Sequence, residues 1–174
     1  MGVISLGKLP SPIPGNVYRC TEQRIRHRSA YLSRALQQLN EAEQDAGAIG
    51  SPGAEKIGGS GSGTDRVCAA AIRIAEAREK VQKAQTWIRV YRLTMEAFQG
   101  TEAFRCVRLL FDKSVSQAET ARMIGRDRQT VRRYKDEFII RAAFLAVSMG
   151  LIRMSEGGRI HAENGDHREP DAGS

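Results

Sequence analysis

Arg128, Gln129, Arg132 and Arg133 fall at i, i+1, i+4 and i+5, so a helix through them gathers three guanidinium groups and one carboxamide on one face. Thr130 and Lys135 lie at the margins of that face. These side chains hydrogen-bond base edges and phosphates when a helix enters the major groove of duplex DNA. Val131, Tyr134 and Phe138 recur at i, i+3 and i+7 and give the same helix an opposite, buried face. With Gln117 and Arg126 just upstream, the candidate DNA-binding set is Gln117, Arg126, Arg128, Gln129, Thr130, Arg132, Arg133 and Lys135.

The elements that must position this set are legible around it. Ser116 followed by Glu119 forms a capping box and starts a helix. Ala121 is small where two helices would cross closely, and Met123 and Ile124 supply apolar contacts. Gly125 sits where the turn between two helices needs a left-handed backbone, and Asp127 suits the N-cap of the next helix. Ala121, Gly125 and Val131 thus take positions 5, 9 and 15 of a twenty-residue frame. Upstream, Gly100 closes one helix and another starts near Thr101, with Phe104, Val107, Leu110 and Phe111 on one face. Residues 101–135 carry nine Lys or Arg against four Asp or Glu, within a chain of net charge +7 and pI 9.7. A basic segment of this kind is the footprint of a phosphate-binding surface. The plainer alternative, an ordinary helical pair with a solvated basic face, makes the turn glycine and the cap coincidences.

Composition suits long helices with narrow seams: 41% of residues are apolar but only 6% aromatic. After a segment at 1–16 that runs into Pro10, Pro12 and Pro14, residues 17–46 show Ile25, Leu32 and Leu39 every seven residues. Tyr31, Ala35, Leu36 and Ala42 fill in beside them. Residues 47–64 hold seven glycines and Pro52, which reads as a linker. Beyond it, Val67, Ile74, Val81, Ile88 and Met95 recur every seven residues. Ala70, Ala77, Ala84, Tyr91 and Phe98 do so three residues later, a coiled-coil pattern. The expectation is an all-α chain: a helical hairpin over 17–99 with its linker at 47–64, then a helix-turn-helix with an apolar extension over 100–152. The polar tail at 153–174 is expected to be disordered. Whether the long helices pair within one chain or between chains stays open.

Other chemistry finds little support. Cys20, Cys68 and Cys106 are odd in number and far apart, and His27, His161 and His167 have no ligand spacing, so neither a disulfide framework nor a metal is expected. The run from Gly58 to Gly63 lacks the Lys-Ser/Thr that ends a phosphate-binding loop and follows a helix instead of a strand. No nucleophile–base pair or carboxylate dyad stands out, so no enzyme and no cofactor is expected. No charged-then-apolar leader is visible. The apolar stretch 138–152, interrupted by Arg141, is shorter than the roughly 20 residues of a membrane-spanning helix, so a cytoplasmic protein without membrane contact is expected.

Residues 104–134 resemble region 4 of bacterial sigma factors, the helix-turn-helix that reads promoter −35 DNA. Over residues 18–138 the order of helical stripe, Gly/Ser-rich linker, heptads and helix-turn-helix resembles the small phage-encoded sigma-like regulators of the ArpU/RinA type. That resemblance implies a transcription regulator of late or packaging genes acting on double-stranded DNA with host RNA polymerase. Two positions depart from the pattern: Arg126 follows the turn glycine in place of an apolar residue, and Thr120 replaces an aliphatic one. Looser packing of the turn is the expected consequence. Two alternatives are a DNA-packaging protein like a terminase small subunit, whose DNA-binding motif comes before its oligomerising helices, and a coiled-coil protein-interaction scaffold.

The stretch 138–152 is apolar almost all round, with Phe138, Ile139, Ala142, Leu145 and Met149 on one side and Ile140, Phe144, Val147 and Leu151 on another. It must be buried on more than one side. Either it packs under the long hairpin or it pairs with a second protomer; pairing through Phe144 and Leu145, giving a homodimer that joins two half-sites, is the favoured expectation.

Overall fold

The computed structural model describes residues 13–49 and 63–152. Every element in them is a helix: α1 (Gly15–Arg26), α2 (Arg28–Ile49), α3 (Gly63–Ala97), α4 (Glu102–Phe111), α5 (Gln117–Ile124) and α6 (Arg128–Ser148). The ends of the glycine-rich stretch belong to helices, since α2 runs through Gly47 and α3 starts at Gly63. Residues 50–62, most of the N-terminal segment 1–16 and the tail 153–174 lie outside the described residues. No helix among those described is long and apolar enough to cross a membrane.

The stripe expected as one helix over 17–46 divides at His27, whose φ of −105° and ψ of 19° leave the helical region. The break lets the two halves serve different partners. α2 lies antiparallel on α3, as the pairings Glu43–Arg78 at 3.3 Å and Asp45–Arg73 at 3.8 Å require. These pairs are exposed and add little stability. The contact itself is Ala35 against Val81 and Ala84, flanked by Leu32 and Leu39, where small side chains bring the axes close. α1 instead packs against α6, bringing Val17, Thr21 and Ile25 into a fully buried position.

The heptad positions of α3 serve two purposes. Its first half presents Ala70, Ala77, Val81 and Ala84 inward, while Val67 stays exposed. Its second half buries Trp87, Val90, Tyr91, Thr94 and Met95, and Phe98 is buried just past its end. Trp87 and Val90 fall off both heptad seams because this half meets α1 and α6 together, and two partners cover a wider face than one. Asp112 joins the two regions. Its carboxylate receives a hydrogen bond from Tyr91 Oη at 2.7 Å and pairs with Arg28, whose guanidinium sits 3.7 Å from the Tyr91 ring centroid. Burial, then the hydrogen bond to Asp112, pushes the Tyr91 phenol well above its ordinary range.

α6 is the central element, in contact with α1, α3, α4 and α5. Phe138, Ile139, Ala142, Ala143 and Ala146 are all buried, and Ile152 closes the same core beyond the helix end. The helix ends at Ser148 with Met149 as its cap, and Gly150 takes a φ of 73°. The all-round apolar character of 138–152 is thus largely consumed within one chain. Leu145 packs against the core and only Phe144 stands out, at 54% exposure. α1, α3, α4 and α5 together cover most of the apolar surface that the sequence left to either the hairpin or a second protomer.

Candidate nucleic-acid interface

Three short caps build the α5–α6 unit from local hydrogen bonds. Ser116 Oγ accepts from the Glu119 amide at 3.2 Å and starts α5. The Glu119 carboxylate pairs with Arg122 one turn along, not with the Ser116 amide, so half of the expected capping box is made. At the other end Gly125 adopts φ 67° and ψ 36°. Its amide donates to Arg122 O at 3.3 Å and the Arg126 amide donates to Ala121 O at 3.0 Å, the paired closure of a Schellman turn. Asp127 then caps α6, with Oδ1 accepting from the Thr130 amide and Oδ2 from the Thr130 hydroxyl, both at 2.8 Å. Those bonds, the backbone one foremost, hold its carboxyl below the usual carboxylate range.

Gly125→Val tests this turn. A Cβ at Gly125 would meet no atom within 4 Å, so the cost is torsional and not steric crowding. A β-branched residue held at positive φ is expected to lose about 1–3 kcal/mol, whereas Asn, which tolerates this region, loses less. Thermal melts of the two variants decide it, and equal melting temperatures for wild type and valine variant would refute the assignment.

Packing fixes the angle between the helices. Ala121 of α5 is buried at the crossing, and Val131 of α6 is fully buried. Cys106 of α4 lies under Val131, its sulfur 4.0 Å from the Val131 carbonyl, and burial pushes its thiol up to about 11, which makes it an inert packing group. Thr120, like Thr21 in α1, carries a buried hydroxyl with no hydrogen-bond partner among the described residues. Thr120→Val removes the stranded hydroxyl at nearly constant volume, and a gain of about 1 kcal/mol is expected, seen as a higher melting temperature. A lower one would show that the hydroxyl is satisfied after all.

The candidate DNA-binding residues divide into three groups. Arg128, Gln129, Arg132 and Arg133 are all exposed on the first two turns of α6. Arg132 Nε lies 3.8 Å from Asp136, and the Arg133 guanidinium lies 5.6 Å from the Tyr134 ring centroid, both loose restraints. Gln117 is half-buried at the start of α5, and the Thr130 hydroxyl is committed to the Asp127 cap. Arg126 and Lys135 are engaged elsewhere. Arg126 Nε donates to Glu102 Oε1 at 2.7 Å while its side chain stays 54% exposed.

Lys135 departs from expectation. Its side chain is only 13% exposed, and its ammonium contacts both Glu22 oxygens at 3.2 and 3.3 Å, 5.7 Å from the Tyr18 ring. It belongs to the α1–α6 seam, beside the hydrogen bond from Tyr18 Oη to Asp136 at 2.5 Å. Burial, then that bond, pushes the Tyr18 phenol far above its ordinary range. The departure has a simple cause: α1 covers the side of α6 on which Lys135 lies. Glu102 and Glu22 had no signal in the sequence, since their partners lie 24 and 113 residues away.

The result is an exposed helix start with a cluster of positive charge and one carboxamide, free of internal ion pairing at Arg128 and Arg133 among the described residues. Such a surface can donate to phosphate oxygens and to acceptors on base edges. Comparison with family models, with curated proteins and with solved structures finds no match to this chain.

Proposed function

We propose that the chain is a sequence-specific regulator of transcription that binds double-stranded DNA, with α5, the Gly125 turn and α6 acting as a helix-turn-helix. The observation that carries this reading is the pairing of a Schellman turn at Gly125 with four exposed donor side chains on the following two turns of helix. The turn fixes the direction of α6, and Arg128, Gln129, Arg132 and Arg133 are the residue types that read bases and hold phosphates. Lys135 is left out of the DNA face, and Thr130 serves it by holding the cap.

The resemblance to sigma region 4 and to phage sigma-like regulators extends the proposal. The chain would act with host RNA polymerase on late or packaging genes of a phage or prophage. Two measurements test these two levels separately. Selection of bound sequences from a random duplex pool should enrich one motif, and failure to enrich any motif while binding persists would remove sequence specificity. Capture of the tagged chain from its host should bring RNA polymerase with it, and a capture without polymerase removes that partner. Ring-sized particles in sedimentation would favour the DNA-packaging reading.

A further inference from the structure

Glu102, the first residue of α4, uses both carboxylate oxygens on segments distant in sequence. Oε1 accepts from Arg126 Nε at 2.7 Å and Oε2 accepts from Tyr134 Oη at 2.9 Å. One side chain therefore ties together the start of α4, the turn before α6 and the second turn of α6. All three residues reach solvent, where such a pair contributes little to stability. The hydrogen bond from Arg126, then that from Tyr134, holds the Glu102 carboxyl below its ordinary range, and the Glu102 bond raises the Arg126 guanidinium.

We propose that Glu102 sets the specificity of the DNA face by cancelling the charge of Arg126 in the free protein, so that indiscriminate attraction to duplex is held down. The inference rests on the DNA-binding reading above. Non-specific binding comes from counterion release and scales with the number of phosphates neutralised. An arginine already paired with a carboxylate adds nothing to that count unless phosphate displaces the carboxylate. Displacement is opposed here, because Tyr134 anchors the second oxygen and a freed Glu102 would face the phosphates as a like charge. Glu102 engages Nε alone. The terminal nitrogens of Arg126 can still donate to an acceptor in the right place, while its charge no longer draws in any duplex at all.

The test is a salt titration of the full chain on a short mixed-sequence duplex. Glu102→Gln should steepen the log–log slope by about 0.9, so its advantage over wild type grows about 3.5-fold between roughly 200 and 50 mM salt. Arg126→Gln should leave the slope where it is, and the double variant should return to the wild-type slope. An unchanged slope in Glu102→Gln overturns the proposal, as does a loss of about 0.9 in Arg126→Gln, which would mean that Arg126 already spends its charge on DNA. If Glu102→Gln fails to fold, Glu102→Ala takes its place in the same titration, with the same steepening expected and the same unchanged slope overturning the proposal. Arg132 and Arg133 replaced by Ala in the same titration separate the two levels. A flattened slope there with no effect at Glu102 leaves the DNA face standing and removes only this inference. No effect at either removes both.

Discussion

Replacing Arg132 and Arg133 together with Ala is expected to flatten the salt dependence of duplex binding by roughly 1.8 in the log–log slope, two contacts at about 0.9 each. Over the fourfold range from about 50 to 200 mM salt, that difference amounts to about a twelvefold convergence of the two affinities. Both side chains are exposed on the second turn of α6, and neither supports the core, so the melting temperature should hold. Lys135→Ala supplies the contrast on the same helix. Its ammonium is already spent on Glu22, so the slope should stay while the α1–α6 seam loosens. A slope that changes with Lys135 and not with the arginine pair would put the DNA surface on α1 and the flank of α6.

Phe138→Ala should cost about 3–5 kcal/mol, the usual range for deleting a fully buried phenyl ring. Its ring is 0% exposed and sits 5.7 Å from Tyr91, 5.6 Å from Phe98 and 5.5 Å from Phe111, so three helices lose a shared contact at once. For a chain of this size each kcal/mol lowers the melting temperature by about 2–4 °C, giving a fall of roughly 6–20 °C. Domain stabilities are typically about 5–15 kcal/mol, so the variant stands near the limit of folding. DNA binding should fall in parallel, because the same helix presents Arg128 to Arg133 at its exposed end. Phe138→Leu should recover much of the loss. A melting temperature within 2 °C of wild type for Phe138→Ala would refute the central role of this ring, at the scale of about 2–4 °C per kcal/mol used above.

The legible parts of the fold share one property: they depend on neighbours within four residues. Ser116, Gly125 and Asp127 each act on backbone groups one turn away, so residue type and spacing suffice to place α5, the turn and the start of α6. The end of α6 near Met149 was readable for the same reason. Periodicity carried further, since the alanines of α3 that repeat every seven residues do face α2. It could not distinguish the half of α3 that meets one helix from the half that meets two, and so it missed Trp87 and Val90. The break at His27 was also hidden, because the apolar stripe runs through it without interruption.

What the sequence by itself determined was therefore the helical character of the chain apart from the break at His27, the caps around α5 and α6, the left-handed turn and the face of α6 that carries Arg128, Gln129, Arg132 and Arg133. Each follows from short-range geometry or from a repeat. What only the tertiary structure decided was the assignment of partners to charges and apolar sides. A lysine and an arginine look equally available in a row of residues, yet Lys135 faces Glu22 from 113 positions away and Arg126 faces Glu102 from 24. The apolar extension likewise announced that it would be buried but not by what. The physical reason is that burial and ion pairing are set by which surfaces meet, and nothing local specifies that α1 lies across α6.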